Sequence, residues 1–176
     1  MKHLVLPILF AITGFFLGGC PGAKMKAPLT GDGRSYSLAV LYDRGITEDK
    51  TRDQVEQLHQ LGEWAERDLM WMLRRAGYSA RQIADRSEFN PSSGEYLLSV
   101  RVIKYNPGSK AARILVGFGA GSCSLDRFYE LYGDGPEPLL SRDQGVGSSI
   151  DYSAVVQKLN QEMIDDVTRA LMASGR

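Results

Sequence analysis

The sequence predicts an α+β domain: a mainly antiparallel sheet of about five strands with two long amphipathic helices packed on one face. Three observations predict it. Apolar residues recur every three or four positions across residues 47–76 and again across 151–173, the spacing that lines one side of a helix. Residues 95–105 (EYLLSVRVIKY) place Leu98, Val100 and Val102 at alternate positions, as a half-buried strand does. Short apolar runs joined by Gly-, Pro- and Asn-rich turns then follow, which is the pattern of an antiparallel meander.

The chain opens with a segment that stands outside this domain. Lys2 precedes an apolar run over residues 4–17, and the run closes on Leu17-Gly18-Gly19-Cys20. A charged start, a short apolar stretch and small residues at a cut form a secretory signal peptide. The run of about 14 residues falls short of the roughly 20 that a membrane-spanning helix needs. Leu-Gly-Gly-Cys resembles the bacterial lipoprotein signal, which implies lipid on the Cys20 thiol and cleavage just before it. The competing reading is an ordinary cysteine at the end of an ordinary signal peptide. Pro21 follows where such lipoproteins carry a sorting signal; an Asp there implies inner-membrane retention, so Pro21 implies outer-membrane residence facing the periplasm.

Loss of the first 19 of 176 residues leaves 157, enough for one domain with a core. Lys2 leaves with them, so 20 basic residues face 21 acidic ones. A near-neutral chain lacks the basic stripe of a nucleic-acid binder. Residues 20–35 (CPGAKMKAPLTGDGRS) show no apolar period and read as a flexible tether. Fully extended, such a tether reaches about 50 Å, which would let a single domain over residues 36–176 sit clear of a membrane.

Within that domain, residues 36–42 (YSLAVLY) read as the first strand. Val55, Leu58, Gly62, Ala65, Leu69, Met72 and Ala76 stripe the first helix. Thr51 with Gln54 offers a capping box, Thr47 or Asp49 an alternative start, and Gly77 a stop. Residues 78–83 form a second strand, and a strand–helix–strand order suggests a βαβ crossover with parallel neighbours. Residues 85–94 are loop. After the 95–105 strand, Asn106-Pro107-Gly108-Ser109 is set for a type II turn. Strands follow at 111–118, 122–132 and 138–143, and 145–149 is a polar loop. Val155, Leu159, Met163, Val167 and Leu171 mark the second helix, with Ser149 or Asp151 as cap candidates.

Candidates for chemistry are few. His3 departs with the signal peptide and leaves His59, a solvated helix histidine by its polar neighbours, so no histidine cluster for zinc exists. Once Cys20 carries lipid, Cys123 is the one remaining thiol and no intramolecular disulfide can form. Burial of Cys123 is the expectation, against an intermolecular bridge or a reactive thiol. Asp165 and Asp166 are adjacent on a helix and point apart, while Glu162 and Asp166 share what reads as a solvated face. Gly117, Gly119 and Gly121 superficially match a dinucleotide fingerprint, but the sequence after them is strand-like rather than helical. They read as structural glycines that permit close backbone packing.

Residues 96–105, then Ala-Arg-x-Leu-x-Gly-Phe-Gly-Ala-Gly over 112–121, then 122–132 and Leu139-Leu140-Ser141 together resemble the bacterial envelope lipoproteins grouped as domain of unknown function 4410. The resemblance runs from about Leu38 to the C-terminus, and Gly133-Asp134-Gly135-Pro136 departs from the family's usual Asp-x-x-Thr-Gly turn. It implies a small periplasm-facing lipoprotein domain with no assigned catalytic residues.

The expectation is therefore a non-catalytic binding or assembly module. Lipid on Cys20 holds it to the membrane, it has a possible envelope protein partner, and it uses no cofactor, metal or nucleic acid. The alternative is an envelope hydrolase built on scattered carboxylates or Cys123.

Overall fold

The structure is a computed structural model and describes residues 26–30, 35–108, 122–148 and 152–174. Cys20, Pro21, Gly117, Gly119 and Gly121 lie outside these residues, as do the cap candidates Ser149 and Asp151 and the strand expected at 111–118.

Among the described residues, five strands and two helices follow in the order β1 (Ser37–Asp43), α1 (Arg52–Ala76), β2 (Ser79–Ile83), β3 (Glu95–Asn106), β4 (Cys123–Tyr132), β5 (Pro138–Ser148) and α2 (Tyr152–Ser174). Two short 3-10 turns, Arg86–Glu88 and Pro91–Ser93, join β2 to β3. The strand order is β2-β1-β3-β4-β5. β1 runs parallel to both its neighbours, while β3–β4 and β4–β5 are antiparallel. The sheet is thus mixed rather than mainly antiparallel. Its cause is the α1 crossover, which returns the chain parallel to β1, and the loop after β2, which carries the chain to β1's other side.

Local chemistry sets the element ends. Thr51 caps α1: its hydroxyl accepts from the Gln54 backbone N–H while the Gln54 side chain accepts from the Thr51 N–H. This reciprocal pair fixes the start at Arg52 and leaves Thr47 and Asp49 outside the helix. Gly77 ends it in the left-handed region at φ +112°. Gly108 takes φ +73°, and its N–H donates to the Asn106 side chain. β5 runs on to Ser148, through residues expected to be loop, because its ladder with β4 continues to Cys123. Gly145 lies opposite Asp126, whose Oδ1 stands 2.5 Å from where a Cβ would be.

One apolar cluster joins Leu38, Val40, Leu98, Val100, Leu125 and Leu131 of the sheet to residues of both helices, among them Leu69, Leu73, Leu159 and Met163. Period two in the strands and the i, i+4 stripe of each helix bring these residues to one layer. Cys123 is buried there, fully out of solvent. A smaller cluster of Ala39, Ile83, Leu97 and Tyr132 forms on the sheet's other side, with Phe89 of the loop packed against it. Arg81 of β2 and Glu95 of β3 form a two-pronged ion pair at 2.8 and 2.7 Å, fastening together the two strands that flank β1.

Candidate functional site

Among the described residues, polar side chains converge in two places, and neither set is periodic enough to stand out in the sequence. The first lies between helices and sheet. β4 turns Leu125, Arg127, Tyr129 and Leu131 toward the helices, and Arg127 is only 1% exposed. Its Nη1 donates to Asn160 Oδ1 at 2.7 Å and its Nε to Gln144 Oε1 at 3.0 Å. Asn160 in turn donates to Asp68 Oδ2 at 2.8 Å and to the Ala65 carbonyl of α1. Gln144 donates to Glu162 Oε2 at 2.9 Å and to the Leu159 carbonyl. Two amides therefore stand between one buried cation and two carboxylates. Each amide turns its oxygen to the cation and its NH₂ to an anion, an orientation that a carboxylate in its place could not reproduce.

Tyr42 of β1 closes the same space. Burial pushes its hydroxyl pKa up, and the nearby Arg127 pulls it partly back; burial likewise lowers the pKa of Arg127. Tyr42 Oη and Arg127 Nη2 make no well-formed hydrogen bond among the described residues, and the two buried groups act chiefly on each other. Further along α2 from Asn160, Asp166 accepts from Tyr129 Oη at 2.6 Å and pairs with Arg142 and Arg169. Glu162 and Asp166, expected on a solvated face, both reach the sheet. Burial and the Asp166 carboxylate together hold the Tyr129 hydroxyl well above its ordinary range. Tyr78 meets Thr168 at 2.7 Å, and burial raises its pKa to about 12. The Thr168 hydroxyl already donates to the Ile164 carbonyl, so Tyr78 is the donor in their bond.

The second convergence lies at the carboxyl ends of β1 and β2, where α/β sheets with parallel strands commonly open a ligand crevice. Tyr42, Arg44, Glu66, Asp85, Ser99 and Arg101 are among the residues lining an open crevice there of about 600 Å³. Arg44 organises it. Its stem lies against Gly62 of α1, where a Cβ would come within 2.7 Å of the arginine's Cγ and Cδ. That contact explains a glycine inside a helix. From this seat Arg44 reaches Glu66 at 3.6 Å and His59 Nδ1 at 2.9 Å. A guanidinium can only donate, so Nδ1 accepts and the neutral ring carries its proton on Nε2. Glu66 is 6% exposed; burial raises its pKa and Arg44 opposes that rise. Arg101 pairs with Asp43 at 2.9 Å across the β1–β3 edge of the crevice.

The expected candidates fall apart in space. His59 is exposed, as anticipated, and bonds Arg44. Cys123 is buried at the start of β4, which suits packing rather than nucleophilic attack. Among the described residues, no group of three or more His, Cys, Asp or Glu is placed to hold a metal. The missed residues, Arg127, Asn160, Gln144 and Glu66, left one trace in the sequence. Arg127, Asn160 and Glu66 each occupy a position where the apolar period calls for a core residue.

Among the described residues the fold is an α+β arrangement of a mixed five-strand sheet and two helices, and the Arg127 network fastens those helices to the sheet. The chain belongs to the family described as domain of unknown function (DUF4410), whose model matches residues 30–172. A search among curated proteins found no match. Among solved structures the chain is similar to a dodecameric PelC variant from Paraburkholderia phytofirmans, at 18% identity and TM-score 0.53 over 78% of this chain and 91% of that one. A second crystal form of that PelC dodecamer aligns at 18% identity and TM-score 0.47, over 84% and 93% of the two chains. A neuraminyllactose-binding hemagglutinin homolog from Helicobacter pylori aligns at 12% identity and TM-score 0.37, over 87% and 92%. At these identities the first likeness speaks for the fold alone.

Proposed function

We propose that this protein is a lipid-anchored, periplasm-facing module of the bacterial outer membrane that binds or assembles a partner without catalysing a reaction. The observation that carries the proposal is the Leu17-Gly18-Gly19-Cys20 sequence placed directly after a charged and then apolar leader. Support also comes from where the polar side chains go. Arg127, Asn160 and Gln144 use their bonds on one another and on the helices, which is a structural task. The crevice around Arg44 and Arg101, where charged groups of both signs border the buried Tyr42 and the exposed Ile46, is the surface we assign to that partner.

Metabolic labelling with a palmitate analogue tests the anchor. Label should appear on the wild type and be absent from Cys20→Ala; equal labelling of both refutes it. Sucrose-gradient fractionation should place the labelled protein with outer-membrane markers, as Pro21 implies. For the binding part, a pull-down from solubilised envelope should recover a protein that Arg44→Ala together with Arg101→Ala loses, with the fold intact by circular dichroism. An activity abolished by one polar substitution alone would point to an enzyme instead.

A further inference from the structure

Resting on the lipid-anchor reading, we propose that the C-terminal half of α1, centred on Trp71, is the surface by which the anchored domain lies against the bilayer. Trp71 is 55% exposed, the most exposed aromatic residue of the described chain. Arg75 holds its guanidinium 5.0 Å from the Trp71 ring centroid. Beside them runs a groove of about 170 Å³ between the helices, its floor formed by Met72, Ala76 and Ile164 and its end by Lys26.

Two independent features say what covers this groove. The first is charge. The exposed charges of α1 are mixed but mainly acidic in its first half, at Arg52, Asp53, Glu56 and Glu63, and basic toward its end, at Arg67, Arg74 and Arg75. Lys26 adds a further cation to the basic end. Phosphate-bearing lipid headgroups complement that end and not the other. Tryptophan beside arginine is suited to the boundary between headgroup and acyl chain, where an apolar ring with a polar edge and a phosphate-pairing cation are both accommodated.

The second feature is the path of the chain. The Ala27 N–H donates to the Ala76 carbonyl at 2.9 Å, so the segment expected to swing free is tied to the end of α1. Cys20 is six residues before Lys26, and six residues span at most about 20 Å. Lipid on Cys20 therefore holds this groove near the membrane, in place of the roughly 50 Å stand-off that a tether to residue 35 would permit. Leu29, 63% exposed and two residues past the tie, adds apolar surface to the same strand of chain.

The test uses the acylated protein purified from membranes and reconstituted into phosphatidylcholine vesicles containing a minor share of phosphatidylglycerol, with or without bromine on the acyl chains. Trp64 and Trp71 are the two tryptophans. Bromolipid should quench the emission of wild type about two-fold more than that of Trp71→Phe, since an interfacial Trp71 lies at the depth of the label. Trp71 is mostly exposed, so the phenylalanine variant is expected to keep its fold. Protein that is acylated and floats with the vesicles, yet shows equal quenching with and without Trp71, overturns the docking while leaving the anchor intact. If Trp71 in that case is also shielded from aqueous iodide, the face belongs to a second copy of the chain. Protein that carries no lipid and does not float overturns the anchor and this proposal with it.

Discussion

Replacing the partners of Arg127 one at a time and then together tests whether the buried network is a single unit. In Asn160→Leu, Arg127 Nη1 loses its 2.7 Å acceptor while the cation stays 1% exposed. Arg127 keeps its bond to Gln144 but is left one acceptor short, at a cost of about 1–3 kcal/mol or more for a charged group. In Arg127→Met the cation is gone and most of the side-chain length remains. Asn160, fully buried, then holds an unpaired oxygen at a cost of about 1–3 kcal/mol, whereas the half-buried Gln144 can turn to water. The double variant buries neither a charge nor an orphaned oxygen at these two positions. Asp68, half-buried, loses one amide donor and rehydrates. The double variant should therefore be more stable than Asn160→Leu alone, with a coupling energy of about 2 kcal/mol or more between the two positions. Urea unfolding of the chain without its leader, followed by circular dichroism, gives all four stabilities. If the two single losses simply add, Arg127 and Asn160 are not coupled and the network reading is wrong.

Three further outcomes follow from named contacts. Gly45→Ala should be far worse than Gly94→Ala: both sit at positive φ, +66° and +73°, but a Cβ at Gly45 would lie 2.1 Å from the Val102 carbonyl oxygen, whereas at Gly94 nothing stands within 4 Å. Thermal melts should show a loss of about 1–2 kcal/mol at Gly94 and markedly more at Gly45; equal losses would refute the close approach. Thr51→Ala should cost about 1 kcal/mol by removing the α1 cap, measurable as a lower urea midpoint with an unchanged slope. Burial raises the Glu66 pKa, so its contribution to stability is fully present below the ordinary carboxyl value of 4.5 and is lost as pH rises through the folded value. Glu66→Gln should thus gain on the wild type as pH rises from 4.5, and a stability difference independent of pH would contradict that account.

The helices were legible because each carries a long i, i+3, i+4 stripe, and the α1 cap could be read from Thr51 and Gln54. The βαβ start could be read too, since β1, α1 and β2 follow one another with clear changes of period. The balance of parallel and antiparallel pairing was not, because the place of β1 between β2 and β3 depends on where the loop at residues 84–94 carries the chain. Nothing in that loop's composition states a direction. The end of β5 was missed for a related reason: Gly145 and Gly147 read as loop, although both lie in the ladder opposite β4. The polar network was illegible as a unit. Its members stand on β1, β4, β5, α1 and α2, and only register brings them together. What the sequence did offer was a charge at an inward position of β4 and an amide within the apolar stripe of α2, each unremarkable until paired with the other.

The central place of β1 bears on how the chain acquires this fold over time. The first strand to be synthesised cannot gain its first neighbour until residues 79–83 exist, nor its second until residues 95–101 do. Ser37 meets Ser79 across 42 residues and Glu95 across 58, separations that require the cost of closing a long loop to be met before any ladder forms. A nascent chain that ends between residues 83 and 95 would present the apolar β1 with one edge bare. Such an edge can recruit a strand from another molecule. Truncated chains of that length should aggregate on release, while chains extending past residue 101 give β1 both its neighbours. Late completion of this kind would suit the exported protein proposed above, which would have to stay unfolded until it had crossed a membrane.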